Sequence, residues 1–165
     1  MHIDVIGTPA PQGSKHGFAI KRGGQYTGKV ATVESSKKVR PWRQDVKYAA
    51  LNSIALEPSF KPLAGPIFIK VFFYLPRPKG HYRTGANAHL LRDAAPPRPA
   101  GRPDWDKLLR STFDALSEAG IWCDDAQVTD VLGGKRYADE RQPGADIEVH
   151  AANVRGVVRA RGVAS

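Results

Sequence analysis

The 165-residue chain is long enough to bury one core, and it carries a net charge of +9. Its single cysteine, Cys123, excludes an internal disulfide and any multi-cysteine zinc site, which suits a reducing cytoplasm. No apolar run is long enough for a signal peptide or a bilayer span, and no segment pairs a basic face with a Trp/Phe/Leu face. A membrane partner is therefore not expected, and nucleic acid is the expected polyanion.

Residues 2–6 (HIDVI) alternate and stop at Gly7 and Pro9, which predicts a short strand. Two β-compatible runs flank Gly23 and Gly24 within 18–33, the pattern of a hairpin. Trp42, Val46, Ala49, Ala50 and Ile54 recur at helical spacing and predict a helix over roughly 40–55, ended before Pro58. Residues 66–75 (PIFIKVFFYL) are aromatic and β-branched, the clearest strand of the chain. A long insert rich in Pro, Gly, Arg and His follows over 76–103; its length and basic character predict a functional, mobile loop.

Beyond it, Leu108, Leu109, Thr112, Phe113, Leu116 and Ala119 fall on one helical stripe over 107–119, with Asp106 suited to the N-cap and Gly120 to the C′ position. Strands are predicted at 127–137 and 145–151, joined by a turn around Gln142-Pro143-Gly144. This order argues for one α+β domain over 1–153: a small mixed sheet with two helices packed on one face. The basic, small-residue tail at 154–165 is expected to fray.

Charge is unevenly placed. Residues 1–103 carry 17 Lys/Arg against 5 Asp/Glu, whereas 104–165 carry 8 against 11. Within the acidic part, Asp104 and Asp106 open the helix-like segment and Asp124 and Asp125 close it. Hydrolysis of a phosphodiester needs an activated water and neutralisation of the developing charge, and a hard divalent cation on carboxylates provides both. In an extended run Asp104 and Asp106 would point the same way, and an antiparallel strand starting near Gln127 would bring Asp124 and Asp125 back to them. Each fragment also has an ordinary reading: Asp106 as a cap, Asp106–Arg110–Asp114 as a surface ion-pair ladder, Asp124-Asp125 as a turn. A non-catalytic, basic DNA-binding protein is then the alternative, or a nuclease acting on other branched DNA.

The segment PDWDKLLRSTFDALSEAGIWCDDAQV joins a D-x-D-[NK]-L opening, a helix with F-D-A-L and a G-[IF]-W-x-D-D-x-Q-V close. In that order and spacing it resembles the signature of the RusA family of Holliday-junction resolvases. The resemblance covers roughly 103–131, and G-x-P-x-x-x-G-S-K at 7–15 adds weaker support. It implies a RusA-like fold, and a homodimer that cuts four-way DNA junctions by symmetric nicks in recombination and repair. It further implies Mg²⁺ on Asp104, Asp106 and Asp125, and Asp124 matches a family acid of less certain role. The family's catalytic lysine falls on Arg110, which keeps the positive charge but cannot give up a proton. Asp114 matches a helix aspartate read as structural. The expected setting is the bacterial cytoplasm, and a cellular and a phage or prophage source both remain open.

DNA contacts are expected from Lys15 and Lys21, from Arg40, Arg43 and Lys47 on the first helix, from Lys79 and Arg83 in the insert, and from Lys107 beside the acids. GTPAPQGSK has the wrong residue order for a nucleotide-binding loop. His81 and His89 lack metal spacing and are expected to face solvent or DNA. Trp42 and Trp122 are expected in the core, and Trp105 beneath the acids.

Overall fold

Strict alternation along Ile67–Leu75 (β4) buries every second side chain and makes this strand the centre of the protein. The computed structural model describes residues 1–13, 15–34 and 36–152. The expected tail at 154–165 lies outside the described residues. His2–Ile6 (β1), Val128–Tyr137 (β5) and Gly144–Ala151 (β6) complete a four-stranded sheet in the order β1-β6-β4-β5. Strands β1 and β4 both run antiparallel to β6, whereas β5 runs parallel to β4. Lys15–Arg22 (β2) and Gln25–Glu34 (β3) form a separate hairpin. Its turn uses Gly23 and Gly24 at φ 60° and 85°, values that suit a tight two-residue hairpin turn.

Two helices, Val39–Ala55 (α1) and Trp105–Glu118 (α2), cover one face of the sheet. Ile67, Ile69, Val71 and Phe73 of β4 meet Trp42, Val46 and Ala50 of α1 and Leu108 and Leu116 of α2 in one buried cluster with Ile3, Val5 and Ile147. Each such side chain contributes about 1.5–3 kcal/mol by leaving water. The buried Trp42 indole donates to Thr112 Oγ1 at 3.2 Å, a polar link between the helices. Trp122 is in the core as expected. The N-terminal run after β1 is tied along α2: Ser111 Oγ donates to the Ala10 carbonyl (2.7 Å) and Gln12 N–H to the Lys107 carbonyl (3.0 Å). Among the described residues no helix is long and apolar enough to cross a membrane.

Three expectations are corrected. The strand after Gln127 is parallel to β4, because α2 carries the chain back along the sheet before β5 begins, as a parallel crossover requires. The strands expected at 127–137 and 145–151 do form, as β5 and β6, with β4 between them. Helix α2 starts at Trp105, so Asp104 is its N-cap residue and Asp106 lies inside the first turn. The two acids therefore do not share a strand face. The insert at 76–103 is also not structureless. It holds short 3₁₀ turns at Lys79–His81 and Gly85–Asn87 and a bridge between Tyr82 and Leu91.

Arg77 anchors the base of the insert. Its guanidinium donates to both Asp139 oxygens (2.7 and 2.6 Å) and to the Pro96 carbonyl (3.0 Å), and stacks 4.0 Å from the Tyr137 ring centroid. The hydrogen bond from Arg77 holds the Asp139 carboxyl below the ordinary aspartate range. A carboxyl lowered in the folded state contributes its stability above its unfolded value and loses it as pH falls through the folded one. Amide-exchange protection over 77–96 should therefore drop in acid before that of α1 and α2, and Asp139→Asn should cause the same local loss at neutral pH. Exchange in the insert indifferent to both changes would contradict this anchoring.

Candidate active site

The N-terminal acids sit where β4 hands the chain through the insert into α2. Asp104 is extended (φ −69°, ψ 139°) and its side chain makes no capping bond. Instead its Oδ2 pairs with Lys107 Nζ at 2.9 Å, one turn along. That hydrogen bond and charge pull the Asp104 carboxyl below the ordinary aspartate range, and Arg102 and Lys135 add to the positive potential. Asp106 and, one turn on, Arg110 are exposed and make no ion pair among the described residues. Residues four apart on a helix are neighbours, so Asp106 and Arg110 share a surface. Between the acids, Trp105 is half-buried and turns its ring edge-on to Phe73, 5.5 Å between centroids. The position suits oxygen donors for a hard cation beside helix N-terminal amides that attract phosphate.

The second acid pair lies past the other end of α2. Gly120, at φ 82°, closes the helix, with Ile121 N–H returning to the Leu116 carbonyl at 3.1 Å. A 3₁₀ turn follows at Asp125–Gln127, capped by Asp124. Asp124 Oδ1 accepts from Ala126 N–H (2.8 Å), while Gln127 Oε1 accepts from the N–H groups of Cys123 (2.9 Å) and Asp124 (3.0 Å). Gln127 Nε2 ties this turn to the Leu63 and Gly65 carbonyls at 3.0 and 3.2 Å. Asp125 is fixed differently: its Oδ1 accepts from Trp122 Nε1 at 2.9 Å and from Ser117 Oγ. Its Oδ2 has no partner among the described residues.

These contacts set the spacing of the two pairs. Asp104 holds the N-cap position of α2 without a capping bond, and Ser117, which holds Asp125, is in its last turn. At 1.5 Å per residue they are about 20 Å apart along the axis. Among the described residues no three acidic, histidine or cysteine side chains converge on one point. The chain thus joins Asp104 to Asp106 and Asp124 to Asp125, but not one pair to the other. The donors are of the right chemistry for a hard divalent cation, and one chain supplies them in halves.

The expected DNA contacts divide by what else they bind. Arg40, Arg43 and Lys47 line a hollow of about 490 Å³ with Val39, Gln44 and Glu118, at the Asp125 end of α2. Within it Arg43 is engaged by Asp114 (3.3 Å) and Glu118, so Asp114 braces α1 and does not form a ladder with Arg110. Arg83 pairs with Asp93 at 2.8 Å, and Lys107 with Asp104. Lys79 and Lys21 are exposed, with Lys21 Nζ 4.5 Å from the Tyr26 ring centroid. The side chain of Lys15 lies outside the described residues. His81 is not a solvated residue: it is half-buried, edge-on to Tyr137 at 5.5 Å between centroids. Residue patterns alone missed Ser117, Gln127 and Arg77, whose roles depend on partners distant in space or on main-chain geometry; Gln127 was visible only as a letter of the D-D-x-Q-V close.

Two acid pairs framing a helix, inside a strongly basic chain, are an arrangement compatible with cation-assisted phosphodiester chemistry. The family model described as endodeoxyribonuclease RusA matches residues 9–150, and the chain belongs to this family of phosphodiester-hydrolysing nucleases. It is similar to the crossover junction endodeoxyribonuclease of Enterobacteria phage 82 and to those of Escherichia coli K12 and Shigella sonnei, with 59% identity over 29 residues in each comparison. That stretch is 18% of this chain and 24% of each relative, so the match spans about a quarter of their length.

Proposed function

We propose that this protein is a Mg²⁺-dependent endodeoxyribonuclease that resolves four-way DNA junctions by paired, symmetric phosphodiester cleavage, in bacterial recombination and repair. The observation that carries the reading is the placement of the acids: an exposed pair at the start of α2 beside Arg110, and an oriented carboxylate, Asp125, at its far end. The names of the relatives add the junction as substrate.

One chain holds each half of a carboxylate set about 20 Å from the other. A second copy, with its α2 antiparallel to the first, would set Asp104 and Asp106 of one protomer against Asp125 of its partner, twice over. Such a two-fold arrangement gives two equivalent sites, which suits two nicks in a near-symmetric substrate. The homodimer is therefore part of the proposed active form. Within each site Asp104, Asp106 and Asp125 hold Mg²⁺, and Asp124, one oxygen committed to Ala126, braces the turn that aims Asp125. The cation, when bound, supplies a nucleophilic hydroxide and neutralises charge on the phosphate. Arg110 provides fixed positive charge to the scissile phosphate, and its guanidinium excludes a proton-transfer role. Lys21, Arg40, Lys47 and Lys79, with Lys15, hold the junction arms through their phosphates, in the bacterial cytoplasm where such DNA is found.

A labelled four-way junction should be cut with Mg²⁺ and left intact in EDTA. Asp104→Asn and Asp125→Asn should each lower cleavage by about 10²-fold or more while still binding the junction, with affinity falling steeply as salt rises. Absence of cutting by the wild type, or cutting by both variants at the wild-type rate, would remove the nuclease assignment. Arg110→Lys should keep activity and Arg110→Ala should lose about 10²-fold in single-turnover rate; a harmless alanine would end the phosphate role of that position.

A further inference from the structure

Strand β5 reaches under the start of α2 with two residues that strand patterning does not explain. Gly133 and Lys135 are two apart, hence on one face of the strand, and they pair in register with Val71 and Phe73, which face the helices. A β-carbon at Gly133 would lie 1.8 Å from the Val71 carbonyl oxygen, so the close approach of the β4 main chain requires glycine there, and it would also press on the Trp105 ring at 3.0 Å. Two residues on, Lys135 Nζ donates to the carbonyls of Gly101 (2.7 Å) and Pro103 (2.9 Å), directly ahead of Asp104. Among the described residues these are the only hydrogen bonds that hold the run 97–103. Lys135 is half-buried and has no carboxylate partner among the described residues. A half-buried ammonium on neutral carbonyls gives up hydration without gaining an ion pair, and its positive charge stays beside Asp104.

We infer that Lys135 is a positioning residue for the metal-binding acids: it clamps the main chain entering α2 so that Asp104 and Asp106 present their carboxylates in a fixed direction. The inference rests on the reading of that pair as metal ligands. Nothing in the motif that carries the family resemblance reaches this residue.

Lys135→Met keeps the aliphatic stem and removes the donors and the charge. In DNA-free protein, Mn²⁺ affinity followed by the electron-spin signal of the free ion should weaken about tenfold, as for other residues that orient metal ligands. The Mg²⁺ concentration for half-maximal junction cleavage should rise in parallel, while junction binding in EDTA changes little. Lys135→Arg, which can still reach carbonyl oxygens, should recover most of the metal affinity. If Lys135→Met does not fold, Lys135→Gln is measured in its place with the same expected shift. A folded variant with unchanged Mn²⁺ affinity and unchanged Mg²⁺ requirement would overturn the clamp alone. A wild type that neither binds Mn²⁺ nor cuts in Mg²⁺ would remove the metal-site reading and this inference with it.

Discussion

Burial of one stripe of α2 against β4 and α1 is the constraint on which the rest of the molecule depends. Leu108, Ser111, Thr112, Ala115 and Leu116 face inward, so the helix can neither bend nor rotate without opening the core. Its length then separates Asp104 from Asp125, and its two ends are finished by different means. At the start an uncapped Asp104 is held by Lys107; at the finish Gly120, Ser117 and Trp122 orient Asp125. The helix acts as a spacer, and the acids at its ends inherit their separation from it.

The same packing decides which positive charges remain available. Helix α1 lies against α2 so that Arg43 meets Asp114 and Glu118. Arg77 is consumed by Asp139 and Tyr137, and Lys107 by Asp104. Arg40, Arg110 and Lys79 have no such partner among the described residues, and Lys21 meets only the Tyr26 ring. A polyanion would meet these first, at little cost in broken ion pairs, whereas the engaged cations mainly shape the surface. The net charge of the chain therefore overstates the number of groups that can grip phosphate.

Much of this was legible in the amino-acid order. Alternation predicted β4, the i, i+4, i+8 repeat of Trp42, Val46 and Ala50 predicted α1, and Gly120 marked the end of α2. What could not be read locally was direction. A strand pattern is the same whether the strand runs up or down, so β5 was expected antiparallel, and with it a return of Asp124 and Asp125 to Asp104. The crossover through α2 reverses that outcome. The cap was displaced by two residues, from Asp106 to Asp104, since either acid satisfies the preference and only the main-chain angles choose. Arg43 and Lys135 were beyond reach for a related reason: their partners are 71 to 75 residues away for Arg43, and main-chain carbonyls for Lys135.

The central claim is that each cutting site takes acids from two copies of the chain. Mixed dimers of the Asp104→Asn and Asp125→Asn variants, isolated through two different affinity tags, test it most directly. If a site spans two protomers, the mixed dimer has one site carrying both lesions and one intact site. It should then nick a single strand of a four-way junction in Mg²⁺, although neither variant alone cuts. If every ligand came from one chain, each site of the mixed dimer would carry one lesion, and a mixed dimer as inactive as its parents would contradict the account.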